Sequence, residues 1–259
     1  KIGLTALAGS LVATSVAYGA ELSVSGSAAM SVQNHSNKAT GKNVKMGNSV
    51  YFTGAGETDS GLNVNLSFEL DQGTPAGDGP FDSHKVSIGN DTLGTLTVHG
   101  HGGSNSAAAL DTTAAGDLWD STLGINTTAA FSTRNAPLAS SSGDNLVVYS
   151  LPSMIDGLSV GVSTQLTTAG GDASTAYGLT YAGIDGLSLS FGKGSTDGTP
   201  GVSGDQTIMK VSYVLGSITA SASHNQMDHT TNTNDQDVTS YGLSYTVSDA
   251  ISLSYGEET

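Results

Sequence analysis

From residue 22 onward the chain alternates apolar and polar side chains in short runs. In Leu22–Val32, Leu22, Val24, Met30 and Val32 share one parity, and Ser23, Ser25, Ser27 and Ser31 share the other. In Leu62–Asp71 the alternation is complete, with Leu62, Val64, Leu66, Phe68 and Leu70 set against Asn63, Asn65, Ser67, Glu69 and Asp71. A period of two marks a strand, because successive side chains point to opposite faces. The same pattern predicts strands at Val50–Ala55, Val86–Gly89, Thr95–His101, Asn145–Leu151, Leu158–Leu166, Tyr177–Tyr181, Leu187–Phe191, Thr207–Leu215, Ile218–Gln226, Tyr241–Val247 and Ile251–Tyr255, thirteen in all.

Alternation alone does not separate a soluble sandwich from a sheet with one face in lipid. The connections do. Short ones (Glu57–Gly61, Asn90–Gly94, Pro152–Gly157, Ala182–Gly186, Gly216-Ser217 and Ser248–Ala250) alternate with longer or more polar ones (Gln33–Ser49, Gln72–Ser83, Gly102–Gly143, Thr167–Ser174, Gly194–Asp205 and Met227–Thr239). An up-and-down barrel crossing a membrane has short turns on one side and long loops on the other. Greek-key crossings give no such regularity. The expected fold is therefore all-β, a transmembrane antiparallel up-and-down β-barrel. Leu, Val, Ile and Tyr would face lipid, with Tyr177, Tyr181, Phe191, Tyr213, Tyr241, Tyr245 and Tyr255 on that side, and Ser, Thr, Asn and Gly would face the lumen.

One connection breaks the rhythm. Gly102–Gly143 has no clean period of either kind and carries Asp111, Asp117, Trp119, Asp120 and Arg134. Loops longer than roughly 12–15 residues inside a compact domain are commonly functional. Residues 102–143 are expected to fold into the bore as a constriction loop.

Composition narrows the function classes. Charged residues make up 12% of the chain, against roughly 25% in soluble globular proteins. Glycines number 35 and prolines 5, and the chain has no cysteine, so disulfides, zinc–thiolate sites and thiol catalysis are excluded. A formal charge of −15 argues against nucleic acid, which needs a basic patch. Residues 1–20 read as an export signal: Lys1, an apolar run Ile2–Val16, and a small-residue site at Ala17-Tyr18-Gly19-Ala20, with cleavage after Ala20 preferred and after Gly19 as the alternative. Residues 21–259 form the barrel domain. The missing initiator Met predicts a fragment at the start. The odd strand count and the stop at Thr259 predict that a few strands are missing at the C-terminus, because bacterial single-chain barrels close with an even number and an open edge in lipid is prohibitive.

At this point the chain resembles the general-diffusion porins of Gram-negative bacteria, the α-proteobacterial type in particular. Glu21-Leu22-Ser23-Val24-Ser25-Gly26 is similar to their opening strand. Val50-Tyr51-Phe52-Thr53-Gly54, followed by Thr58-Asp59-Ser60-Gly61-Leu62, is similar to their second hairpin. Val86–Val98, with its Leu93-Gly94 turn, is similar to the hairpin before their constriction loop, and Gly116-Asp117-Leu118-Trp119-Asp120 to a run within that loop. Tyr177-Gly178-Leu179 and Tyr241-Gly242-Leu243 are also typical. The resemblance implies a sixteen-stranded barrel, about thirteen strands of which are present, usually a homotrimer, with the third long loop folded inward. Two features depart from the pattern. The C-terminal strand ending in an aromatic residue is absent, and Arg134 is the only arginine, so the basic cluster that faces the acidic loop is missing.

Parity places Glu69, Asp71, Lys85 and Lys210 on the lumen side, and Lys45 lies near the entry to the second strand, where the family tends to place basic residues. The loop acids Asp111, Asp117 and Asp120 with Lys45, Lys85 and Lys210 form the candidate pore constriction; Glu69, Asp71, His99 and His101 are candidate pore-lining residues. Charged side chains in a narrow bore bias ion passage, and the excess of carboxylates predicts mild cation preference. His99-Gly100-His101 puts two imidazoles on one strand face, a spacing that can bind zinc or copper, although pore lining is the simpler role. His224–His229 and the Asn/Asp-rich run after it read as an exposed loop whose oxygen atoms can hold Ca²⁺; no other cofactor is expected. No catalytic motif is found in the setting it needs: Gly157-Leu158-Ser159-Val160-Gly161 fits G-x-S-x-G but opens a predicted strand rather than forming a strand-to-helix elbow, and H-E-x-x-H does not occur. The expected function is passive diffusion of small hydrophilic solutes and ions through a water-filled channel embedded in outer-membrane lipids, reached by export through the periplasm. The competing reading is a secreted β-rich adhesin or surface protein, which as a solenoid would show a fixed short repeat; none is found.

Overall fold

The computed structural model of the chain describes residues 11–13, 21–34, 42–71, 81–107, 109–110, 114, 145–165, 173–197, 203–230, 235–249 and 251–259. They form one antiparallel sheet of fourteen strands in sequence order. The strands are β1 (Leu11–Ala13), β2 (Glu21–Asn34), β3 (Lys42–Glu57), β4 (Asn63–Asp71), β5 (Phe81–Asn90), β6 (Gly94–His101), β7 (Leu146–Ser150), β8 (Leu158–Gln165), β9 (Ala173–Ile184), β10 (Leu187–Asp197), β11 (Gly204–Leu215), β12 (Ile218–His229), β13 (Gln236–Ser248) and β14 (Ile251–Glu258). β1 and β14 are its two edges. β1 lies in the stretch read as an export signal and pairs with β2, Leu11 opposite Val24 and Ala13 opposite Leu22. The other strands correspond one to one with the thirteen expected from sequence. Among the described residues no helix is long and apolar enough to cross a membrane, an observation that bears on helices alone.

Several strands run further than their alternation predicts. Asn43–Ser49, read as part of a loop, belongs to β3 and pairs with β2 as far as Asn34↔Lys42. β10 continues to Asp197 and β11 begins at Gly204, so half of the expected Gly194–Asp205 loop is ladder. His224–His229, read as an exposed loop, lies wholly within β12; all six residues pair with β11, and His224–Met227 pair with β13 as well. In β10–β11 and β12 the outward side chains become polar toward the long-loop end, as at Asp205, Thr207, Gln226 and Asp228, so the two-residue period disappears while the backbone ladder continues. In β3 the period persists, with Val44 and Met46 at outer-face positions, and the stretch reads as loop because Asn43, Lys45, Gly47 and Asn48 make it polar overall.

The register separates two faces. One rung runs Thr180, Ser190, Lys210, Ser223, Ser240 and Glu258 across β9–β14; this inner face carries Ser, Thr, Gly and Asn. The neighbouring rung runs Tyr181, Leu189, Val211, Ala222 and Tyr241. On this outer face Leu66, Val86, Leu96, Val162, Tyr177, Met209, Tyr213, Leu243, Tyr245, Leu253 and Tyr255 are all exposed. A soluble protein seldom exposes an apolar patch of more than a few hundred Å², whereas a membrane barrel requires an apolar outer band. Phe52 and Phe68, directly opposite each other on β3 and β4, stack there with centroids 4.8 Å apart.

The short-turn end is built for tight reversal. In the β5–β6 turn the Asn90 side-chain oxygen accepts from the Thr92 and Leu93 amides at 3.1 and 2.8 Å. Gly94 then takes a φ of 77°, and a Cβ there would stand 2.4 Å from the Ser150 carbonyl oxygen. Gly94→Ala is expected to lose about 1–2 kcal/mol from the left-handed backbone alone, and more from displacing Ser150. A urea titration of folded protein in vesicles reads this as a lower unfolding midpoint; an unchanged midpoint would contradict the geometry.

Candidate functional site

After β6 the chain turns onto the inner face. The Asn105 side-chain oxygen accepts from the Ala107 amide at 3.1 Å, and its carbonyl accepts from the Ala109 amide at 2.9 Å. Leu110 donates its N–H to the Ala107 carbonyl at 3.0 Å, completing a single turn with Asn105 as its cap. Ala107 is 0% exposed and packs with Ala176, Ile208 and Leu110 in a small core. The Ser106 amide donates to Ser163 Oγ at 2.8 Å, and Ser163 Oγ in turn donates to the Ala176 carbonyl at 3.5 Å.

A second contact point lies four strands further along. The Ala114 amide donates to Ser223 Oγ at 3.0 Å and to Ser240 Oγ at 2.8 Å. Its carbonyl accepts from Ser221 Oγ at 2.9 Å, and Ser223 and Ser240 also bond each other. Glycines let the segment approach this closely. A Cβ at Gly178 would fall 2.1 Å from the Ser106 carbonyl oxygen, one at Gly192 2.7 Å from Leu110 Cδ1, and one at Gly242 1.9 Å from the Ala114 carbonyl oxygen.

This bed contains residues that a purely polar inner face does not anticipate. Leu146, Ile208, Met227 and Val238 are buried and stand on the inner face by register. The signal for two of them was present as broken alternation: Leu146-Val147-Val148 and Ile208-Met209 place apolar residues at successive positions. Val238 and Met227 have only polar neighbours and give no such sign.

A sheet of up-and-down strands, apolar outside, polar inside, with a loop laid on its inner wall, has the anatomy of a diffusion channel. A sequence profile described as Gram-negative porin matches residues 3–259. The chain belongs to the Gram-negative porin family. Among solved structures it is similar to a doubly substituted mutant of Rh. blastica porin, at 12% identity and a TM-score of 0.45, covering 92% of this chain and 94% of that one. It is also similar to a triple mutant of Rhodopseudomonas blastica porin, at 13% identity and a TM-score of 0.48, with the same shares covered. No curated protein matches the chain. The porin is an outer-membrane channel, of a family that implies passage of small solutes and ions.

The porin's inner face carries the expected charged residues in two groups. Glu69 stands opposite Tyr51 on β3; the Tyr51 phenol hydrogen-bonds its carboxylate, and Ser83 Oγ donates to Glu69 Oε2 at 3.1 Å. Asp71 lies one step along, opposite Ser49. Lys85 is exposed and sits between Ser67 of β4 and His99 of β6. His101 follows on the same face, its backbone opposite His84. Glu69, Lys85 and His99 therefore share one region of wall. Lys210 is half-buried between Ser190 and Ser223 on β11, six strands away. Lys45 takes the position opposite Ser31, with its side chain outside the described residues. Asp111, Asp117 and Asp120 lie outside the described residues, as do Trp119 and Arg134.

The strand assignment of His224–His229 disperses its ligand atoms. His224, Gln226 and Asp228 stand on one face, Asn225 and His229 on the other. His224 Nδ1 lies 3.4 Å from Asp237 Oδ1 and 3.2 Å from Thr239 Oγ1, and the Gln226 side-chain nitrogen donates to Asp228 at 3.2 Å. Among the described residues no group of three or more His, Asp or Glu side chains is placed to hold a metal ion, so the His99/His101 pair stands without a third ligand there.

Proposed function

We propose that this porin is a general-diffusion channel with mild cation preference, narrowed by the segment 102–143 and working as a homotrimer in outer-membrane lipid. The observation that carries the reading is the docking of Ser106 and Ala114 on the inner wall: a chain laid across a polar bore reduces its cross-section and brings its own side chains to the permeating solute. The acidic residues Asp111, Asp117 and Asp120 belong to this segment, and Glu69 and Asp71 to the wall. With Lys45, Lys85 and Lys210 as the counterweight, carboxylates predominate, so cations are favoured in the bore. Residues 1–20 serve as the export signal, cut after Ala20. The inner wall offers hydroxyls and amides and needs no cofactor.

The test is single-channel recording in a planar bilayer under a salt gradient. Large, stable steps with a reversal potential on the cation side are expected. Small, saturable currents blocked by one solute would replace the reading with a substrate-specific channel, and an anion-side reversal potential would sink the charge assignment.

A further inference from the structure

We propose that two pins on the inner wall, at Ser106 and at Ala114, set the width of the pore, and that Gly178 and Gly242 are specificity-determining positions because each seats one pin. The inference rests on the reading of residues 102–143 as the constriction and assigns the residues that hold it.

Both pins grip backbone. At the first, the Ser106 amide is bonded to Ser163 and its carbonyl oxygen sits over Gly178. At the second, three serines from β12 and β13 satisfy both polar groups of Ala114, which is 6% exposed. The wall has no backbone groups to offer, since the strand amides and carbonyls are committed to the ladder, and a buried unpaired N–H or C=O is costly. Hydroxyls are what remains, and they are concentrated at one residue. Between the pins, Ala107 and Leu110 cross β9–β11 over Gly192 and Gly194.

Neither Gly178 nor Gly242 has positive φ, so alanine fits the backbone at both. Its methyl does not fit the space. At Gly242 the carbonyl oxygen of Ala114 would have to retreat from 1.9 Å to an ordinary contact near 3.4 Å. The sheet lies behind, so the only free direction is into the bore. Gly47 is the contrasting position, on the inner face opposite Ala29, where an added Cβ meets nothing within 4 Å.

The experiment compares Gly242→Ala, Gly178→Ala and Gly47→Ala with the natural chain by single-channel conductance and by the largest polyethylene glycol that enters the pore. The first two are expected to lower both the conductance and the size limit, while Gly47→Ala leaves both unchanged. Because a displaced segment can impair folding, a second variant tests the same contact independently. Ala107→Cys with Gly194→Cys brings two Cβ atoms to 3.6 Å, within the disulfide range of about 3.5–4.5 Å, in a chain that has no other cysteine. Oxidation is expected to cross-link the folded protein in vesicles, detected by mass after proteolysis. Failure to cross-link overturns the docked segment, and glycine variants that conduct like Gly47→Ala overturn the pins while leaving the channel intact. A natural chain that is folded but passes no current overturns the channel reading itself.

Discussion

An arginine in place of Val211 is expected to destabilise the porin in lipid by roughly 2–4 kcal/mol, whereas an arginine at Ser212 is expected to be tolerated. Val211 is 39% exposed on the outer face, paired with Leu189 and Ala222 and flanked along β11 by Met209 and Tyr213. This is the middle of the apolar band, where an arginine costs roughly 2–4 kcal/mol. A folded domain has about 5–15 kcal/mol in total, so one such residue removes a large share. Ser212 is the next residue, paired with Ser188 and Ser221, and its side chain enters the lumen, where a guanidinium stays hydrated. Heat-modifiable migration on unboiled gels, followed by a urea titration in vesicles, measures both variants. A Ser212 variant less stable than the Val211 variant would mean that the faces are assigned the wrong way round, and equal stability would mean that neither position lies in the lipid band.

Reversing Lys85 and Lys210 together to glutamate is expected to raise cation over anion permeability several-fold. Among inner-face residues with described side chains these are the two Lys or Arg positions. A unit charge about 4 Å from an ion contributes about 1 kcal/mol at the dielectric of water, and each reversal changes the wall by two units. Lys85 stands beside His99 and one rung from Glu69, while Lys210 faces the bore from β11, so their contributions act on separate parts of the wall. Ionic strength decides whether the effect is visible. The screening length is about 10 Å at 0.1 M and about 3 Å at 1 M, so the reversal potential has to be read in dilute salt. A ratio unchanged at 0.1 M would place both lysines away from the ion path.

The strand order was legible because lipid imposes a strict rule on the outer face. Leu62–Asp71 alternates without error, and β4 has its side chains where that pattern puts them. The parity of Lys85 and Lys210 followed from their apolar neighbours for the same reason. Where lipid no longer touches the sheet the rule lapses. Met227–His229 is ladder in the structure and looked like loop in the sequence, because its outward residue Asp228 is chosen by water rather than by hydrocarbon; Asn43–Ser49 keeps Val44 and Met46 at outward positions but is polar enough overall to look like loop. The docking bed was least legible of all. Ser221, Ser223, Ser240 and Gly242 differ in no local way from the many other serines and glycines of the inner face. Their role comes from Ala114, a residue more than a hundred positions away that no periodicity connects to them.

The joint at Ala114 holds the amide and carbonyl of one residue, and main-chain groups are alike whatever side chains flank them. Three hydroxyls and a glycine recognise the main chain and leave its neighbours' identities unconstrained. Mutations in the remainder of the segment can then exchange one filter for another while the mounting stays the same, so lineages carrying this wall are free to diversify in what they admit. For the engineer the same joint marks where a foreign filter can be spliced in.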